Sequence, residues 1–211
     1  MIINTEELRI KFNFDQAGMT PLSTPLTIDF YKKWLDQNYF GSMNYLKEHL
    51  PQKNDSILIH PHLRSAITVT KNYFPAPEPI SEKWPARIAL YAQNADYHFW
   101  LKDQLKKVII SLQEKHPNEI FLPYVDSGPI LERDLAYRSG LGWFGKNTCL
   151  IHPKKGSLFF IAEILTSLEL NNKTEEKENA PLPDFCGTCT RCIDVCPTNA
   201  IKENKTLKAD D

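Results

Sequence analysis

The sequence predicts a layered α+β domain followed by a short cysteine-rich appendage. Three observations carry that expectation. The stretch Ser65-Ala-Ile-Thr-Val-Thr-Lys71 is β-branched and alternating, the pattern of a strand. Tyr97, Leu101, Leu105, Val108, Ile109 and Leu112 recur at helical spacing, the best periodicity in the chain. Cys186, Cys189, Cys192 and Cys196 then place four of the five cysteines within a single short run near the C-terminal end.

Taken in order, Glu6 to Phe14 reads as a short amphipathic helix. Thr24 as N-cap and Pro25 at the first helical position announce a second helix, which turns Ile28, Tyr31, Trp34 and Leu35 inward. After a turn at Gly41, Met43 to Leu50 forms another short helix that Pro51 stops. The proline-rich stretch from Pro75 to Pro85 cannot extend the strand at 65–71 and reads as a surface loop. Arg87 to Ala92 is expected as a second strand and Glu119 to Val125 as a third. Pro129 to Ser139 reads as a helix closed by Gly140. Thr148–His152 and Ser157–Leu165 read as two further strands around a turn at Lys155-Gly156, and Asn171 to Ala180 as a polar linker.

A chain of 211 residues suggests one domain or one with an appendage, and its length allows a full core without cross-links. The net charge of −1 gives no strong overall field for a polyanion, so any nucleic acid would need a local patch or a further segment. The lysines at 102, 106, 107 and 115 give the long helix a basic outer side, read as solvation. The first ten residues carry charges where a signal peptide needs its apolar core, and no apolar run reaches membrane-span length. With one odd cysteine and four clustered ones, the expected compartment is reducing, hence cytoplasmic, with no membrane contact.

The cysteine run is Cys186-Gly-Thr-Cys189-Thr-Arg-Cys192-Ile-Asp-Val-Cys196-Pro197. Its x2, x2, x3 spacing ahead of proline is the bacterial-ferredoxin pattern, in which three thiolates hold one iron–sulfur cluster and the fourth serves a second. Zinc sites more often split their ligands into two distant pairs. Smaller constellations surround it in sequence. Asp126-Ser127-Gly128 closes the third strand, and Gly140-Leu-Gly-Trp-Phe-Gly-Lys-Asn147 follows the next helix. Three glycines in that loop imply unusual backbone angles or close approach; the spacing matches neither a dinucleotide nor a phosphate loop, and a structural turn is the reading the residues themselves favour. Asp96 reads as the N-cap of the long helix. Cys149 reads as a buried inert thiol in an apolar strand.

These motifs together resemble the epoxyqueuosine reductases. The resemblance rests on Val125 to Arg133 and Ser139 to Asn147. It continues through Trp34-Leu35, Met43-Asn-Tyr45, Ala89 to Ala92, Asp96-Tyr-His98, Gly156-Ser157 and the cysteine run. It implies a catalytic domain similar to reductive dehalogenases and, more distantly, to nitroreductase-like folds, over residues 1–170, with a linker at 171–184 and half of a two-cluster ferredoxin-like segment at 185–211. It also implies reduction of the epoxide of epoxyqueuosine in tRNA with cobalamin and two [4Fe-4S] clusters. Asp126 matches the proton donor; Tyr97, Asp126, Ser127, Lys146, Asn147 and Leu150 match cofactor contacts; and Cys186, Cys189, Cys192 and Cys196 match cluster ligands, the fourth joining the second cluster. His98 is not expected on cobalt, because no glycine follows it three residues on. Further implied are an unidentified electron donor and a monomeric protein. The chain departs from the family in lacking arginine at Pro51 to Asp55 and at Ala89-Leu90, and in stopping before a second cysteine run; it is therefore expected to be a shortened form. Two alternatives remain: a dehalogenase-like corrinoid reductase of a small molecule, and a plain electron-transfer module.

An aspartate that gives up a proton near neutral pH must be desolvated. Phe121, Leu122, Val125 and Ile130 are the apolar neighbours expected to desolvate Asp126. Glu132 is the nearest rival acid, expected in a surface or capping position on its helix.

Overall fold

In this computed structural model, which describes residues 3–73, 88–170, 180–202 and 205–209, a four-stranded antiparallel sheet carries the site. Its strands are β1 (Gln16–Pro21), β2 (Ser65–Asn72), β3 (Phe121–Tyr124) and β6 (Phe159–Thr166) in the order β1-β2-β6-β3. β2 and β6 fill the middle, with Thr68 opposite Glu163 and Ile67 opposite Ile164. Alternation sorts their side chains. Ile67, Val69, Ala162 and Ile164 face α1 (Thr5–Lys11) and α5 (Tyr97–Lys115), whose Leu8, Leu101, Leu105 and Val108 complete the larger core. Ala66 and Leu165 face Leu135 of α6 (Glu132–Arg138) and Ile130 just ahead of it. Helices thus cover both faces, and few positions of the two central strands meet water. Truncating Leu105, which is fully buried, to alanine would cost about 2–5 kcal/mol.

The long helix forms as its spacing predicts, with Asp96 capping it by accepting from the His98 N–H. α6 ends where expected. Ser139 is its last half-helical residue, Gly140 takes φ +73°, and the N–H groups of Gly140 and Leu141 close on the carbonyls of Tyr137 and Ala136. That double closure requires a left-handed residue at Gly140. β2 and β3 also match their expected segments.

Other elements differ from expectation. α2 spans Ile28–Asp36 and begins at Thr27 rather than Thr24, because Asp134 accepts from both Thr27 N and Thr27 Oγ1 at 2.9 Å and anchors the start. Ile28 and Leu35 are buried, while Tyr31 and Trp34 are half-buried. Pro51 does not stop a helix. It sits in the first turn of α4 (Leu50–Asn54), next to the single turn α3 (Tyr45–Glu48), where a missing N–H costs nothing. Leu90–Ala92 forms a 3-10 turn instead of a strand. Leu150–Ile151 (β5) pairs with Trp143–Phe144 (β4) in a small hairpin, while the neighbouring strand joins the main sheet. Cys149 is exposed, not buried, since it precedes β5 at the hairpin turn. The expected loop at 75–85 lies outside the described residues, as does nearly all of the expected linker at 171–180.

The cysteine segment lies against the rest of the chain. The Phe185 ring meets Trp143 edge-on at 5.0 Å, and Lys146 Nζ donates to the Gly187 carbonyl at 2.8 Å. At its far end, Trp34 Nε1 donates to Leu207 O and Ala209 N donates to Tyr39 O. Within it, Cys189 N closes a turn on Cys186 O, and one helical turn spans Arg191–Asp194.

Candidate functional site

β3 delivers Val125 into the core, and the chain then reverses in a three-residue turn, with Ser127 N donating to Val125 O at 2.7 Å. Asp126 stands at its centre with φ +62°, a conformation that strains most side chains but that aspartate tolerates better. Gly128 follows because a Cβ there would lie 2.3 Å from the Tyr124 ring. The turn pushes the Asp126 side chain outward, 58% exposed. Phe121, Val125 and Ile130 go into the core instead, so the expected desolvation of Asp126 by these residues is not found.

The first turn of α5 meets this carboxylate. Tyr97 Oη donates to Asp126 Oδ2 at 2.7 Å, and His98 Nε2 lies 3.3 Å from the same oxygen. The other ring nitrogen of His98 is 2.7 Å from Asp96 Oδ1. Both imidazole nitrogens are therefore engaged by carboxylates. Tyr97 is held between rings, stacked 4.1 Å from His98 and 4.0 Å from Phe160. Burial first, then the Asp126 hydrogen bond, raise the Tyr97 hydroxyl well above its ordinary pKa, so it remains a donor.

Behind Asp126 lies a second rank of charge. Glu132, the first residue of α6, accepts a hydrogen bond from the Asp126 backbone N–H, while its Oε1 is buried with no partner among the described residues. Burial, joined by repulsion from Asp126 and opposed by Lys53, raises its pKa to about 7. Glu132 thus occupies neither the surface nor the capping position expected of it. Glu163 on β6 is fully buried with both oxygens partnerless among the described residues, and burial raises it well above an ordinary carboxyl. Lys53, buried on α4, donates to Ile130 O at 2.7 Å, and burial lowers its pKa.

Of the expected cofactor contacts, the fold brings Tyr97, Asp126 and Ser127 together. Lys146 and Asn147 lie in the β4–β5 turn, tied to α6 where Arg133 donates to Thr148 O at 2.6 Å. The Leu150 side chain is buried against Ala136, Leu141 and Phe159, so only its backbone remains to meet a ligand. The loop glycines serve the hairpin: a Cβ on Gly142 would lie 2.6 Å from Ile151 O, and one on Gly145 would lie 2.5 Å from Ile151 Cδ1. Trp143 Nε1 is a buried donor without an acceptor among the described residues, at the seam with the cysteine segment. All four cysteines of the run are free thiols, and among the described residues no three metal-binding side chains are gathered into a site.

Sequence reasoning missed Glu163, Lys53 and the contact of His98 with Asp126. A lone glutamate inside Phe-Phe-Ile-Ala-Glu-Ile-Leu-Thr166 was a legible signal, since an unpaired charge rarely enters a buried strand without a role. The other two depend on residues far apart in sequence.

Comparison with known proteins places these features in context. A family model described as "Epoxyqueuosine reductase QueG, DUF1730" matches residues 43–127, and a "4Fe-4S binding domain" matches residues 182–202. An epoxyqueuosine reductase from Cyclobacterium marinum is 36% identical over 199 residues, covering 93% of this chain and 62% of the relative. The structure of epoxyqueuosine reductase from Streptococcus thermophilus superposes with a TM-score of 0.82 at 22% identity, over 98% of this chain and 55% of the other. Another epoxyqueuosine reductase, solved with an epoxyqueuosine-modified tRNA stem loop, gives 0.78 at 25% identity, over 97% and 54%. A reductive dehalogenase, for which B12-dependent dehalogenation is described, shares the fold at 0.50 and 12% identity, over 90% of this chain and 22% of the other. The chain thus spans between half and two thirds of the length of these epoxyqueuosine reductases.

Proposed function

We propose that this chain, a relative of the epoxyqueuosine reductases in sequence and fold, forms the catalytic part and the first cysteine run of an enzyme that reduces the epoxide of epoxyqueuosine in tRNA. The observation that carries the reading is the placement of Asp126. A strained turn presents its carboxylate to solvent, in contact with Tyr97 and His98, within a chain that resembles these enzymes over nearly its whole length. Residues 1–170 are the catalytic domain, 171–184 the linker and 185–211 half of a two-cluster segment. The substrate is a tRNA, the electron donor a separate protein or small reductant, the compartment the cytoplasm, and the active unit a monomer.

The donor set suits iron–sulfur clusters by type and spacing, with Cys186, Cys189 and Cys192 on one cluster and Cys196 on the other. Cobalamin is supported by the orphaned Trp143 donor beside the hairpin and by the polar groups that ring Asp126. Tyr97, Ser127, Lys146, Asn147 and the backbone at Leu150 would hold it, and when bound it supplies a cobalt centre that accepts and passes on single electrons. His98, with both nitrogens turned to carboxylates, is not a cobalt ligand in this reading.

The chain's own residues handle protons and position. An epoxide oxygen that opens becomes a strongly basic alkoxide, and an acid held beside it lowers the barrier. Asp126 gives that proton, its carboxyl, exposed in the free chain, being taken out of water when substrate and cofactor cover it. Tyr97, clamped between His98 and Phe160, fixes the carboxyl by one oxygen and keeps it facing outward.

The test is direct. Protein loaded anaerobically with iron, sulfide and cobalamin, then given a reductant and epoxyqueuosine-containing tRNA, should yield a nucleoside lighter by one oxygen in mass spectra. Fully loaded protein that leaves the nucleoside unchanged would overturn the reading.

A further inference from the structure

Removing an epoxide oxygen as water takes two electrons and two protons, and Asp126 carries one proton. The fold places two more carboxyls directly behind it. Glu132 is tied to the turn by the Asp126 backbone N–H, and Glu163 lies deeper, at the centre of the sheet. Three carboxylate oxygens of this pair are buried without hydrogen-bond partners among the described residues.

An ionised carboxylate in that setting would forgo the hydrogen bonds it would have in water. Opposite Glu163 in register stand Thr68 on β2, whose hydroxyl is likewise buried and partnerless, and Tyr124 on β3. The charged groups packed around α6 do not neutralise the pair. Arg138 is paired with Asp134, Arg133 donates to Thr148 O, and Lys53 donates to Ile130 O, although Lys53 and, more weakly, Arg133 still attract Glu132. Glu132, Glu163 and Asp126 repel one another, so the pair does not hold two charges at once.

We propose that Glu132 and Glu163 form a buried proton store that reloads Asp126 between the two proton transfers of the reaction. This rests on the functional reading above. In the first transfer Asp126 protonates the opening oxygen and becomes a carboxylate. The Glu132 carboxyl then releases its proton to Asp126, directly or through one water. Asp126 passes this second proton to the same oxygen, which leaves as water. Both C–O bonds break, a carbon–carbon double bond forms, and the two electrons come from a one-electron iron–sulfur donor acting twice. Glu163 shares its proton with Glu132, and solvent refills the pair after turnover.

Two readouts test this. Infrared difference spectra of the purified chain, with no cofactor or tRNA, should show protonated-carboxyl bands. One persists at neutral pH and vanishes in Glu163→Gln; the other titrates near neutrality and vanishes in Glu132→Gln. Absence of these bands would overturn the inference whatever the loaded enzyme does. In loaded enzyme, Glu132→Gln should lower turnover by about 10²-fold at pH 8, the low end of the usual span for a proton-transfer group. The loss should shrink at pH 6, and added small carboxylic acids should restore rate in proportion to their concentration. A loss equal at every pH and untouched by added acid would assign Glu132 a purely structural role and sink the relay. If wild-type enzyme converts no epoxyqueuosine, the functional reading falls, and the infrared bands alone decide whether the proton store exists.

Discussion

Replacing Asp134 by leucine should cost about 3–5 kcal/mol of stability, the usual result of leaving a buried partner charge unmatched. The Asp134 side chain is fully buried; Oδ2 accepts from Arg138 Nε at 2.7 Å, and Oδ1 accepts from Thr27 N and Oγ1. Arg138, 7% exposed at its side chain, would keep only its bonds to Pro21 O and Ser23 Oγ and would meet little water. The donors on Thr27 are only half-buried, so water replaces their acceptor and the guanidinium dominates the loss. Arg138→Met alone should cost a similar amount. The double variant Asp134→Leu, Arg138→Met should recover most of it, because an apolar pair of like volume is nearly neutral in such positions. Urea unfolding of the four proteins measures the cycle. If the double variant loses the sum of the single losses, the pair is not coupled and the reasoning fails.

Other outcomes follow from the site and its supports. Under the proposed function, Asp126→Asn, which keeps size and the left-handed backbone, should lower epoxyqueuosine turnover by about 10²–10⁴-fold; near-normal turnover would remove Asp126 from the reaction. Gly142→Ala places a Cβ 2.6 Å from the Ile151 carbonyl and should destabilise the β4–β5 hairpin by about 1–3 kcal/mol in thermal melts; an unchanged melt would refute the close approach. Two [4Fe-4S] clusters need eight thiolates and this chain has five cysteines, so anaerobic reconstitution should give about four irons per chain at most; eight would undo the cluster assignment. Because folding raises Glu132 from an ordinary 4.5 to about 7, its contribution is fully present below pH 4.5 and is lost as pH rises through 7. Stability should therefore decline by up to about 3 kcal/mol across that window, and Glu132→Gln should flatten the decline.

What could be read from the sequence was local. The spacing from Tyr97 to Leu112 gave α5, the β-branched run gave β2, and Gly140 marked the end of α6. What escaped was set by distant partners. β1, Gln16-Ala-Gly-Met-Thr-Pro21, has no β-branched run and carries both a glycine and a proline. Gly18 is needed because a Cβ would lie 2.6 Å from Ser139 O, and Pro21 is tolerated because β1 is an edge strand. Thr24-Pro25 carries a proper helix-start signal, yet Asp134 moves the start to Thr27 from more than a hundred residues away. At the site, Asp126 and Tyr97 were legible through resemblance to a family. Glu163 left a trace as a lone charge in an apolar run and Glu132 was visible as an acid, but that both are buried behind Asp126 was not, because it is decided by the layering of α6 on the sheet.

The cysteine segment touches the body at both ends, through Phe185 and Gly187 against the β4–β5 hairpin and through Leu207 and Ala209 against Trp34 and Tyr39. Phe185 and Gly187 join it to the hairpin, so if a ligand on the cysteines alters the affinity of one resting on Trp143 and Lys146, the second alters that of the first by the same factor. The indole of Trp143, in edge contact with Phe185, makes that linkage visible, since its emission should shift when the thiols are occupied.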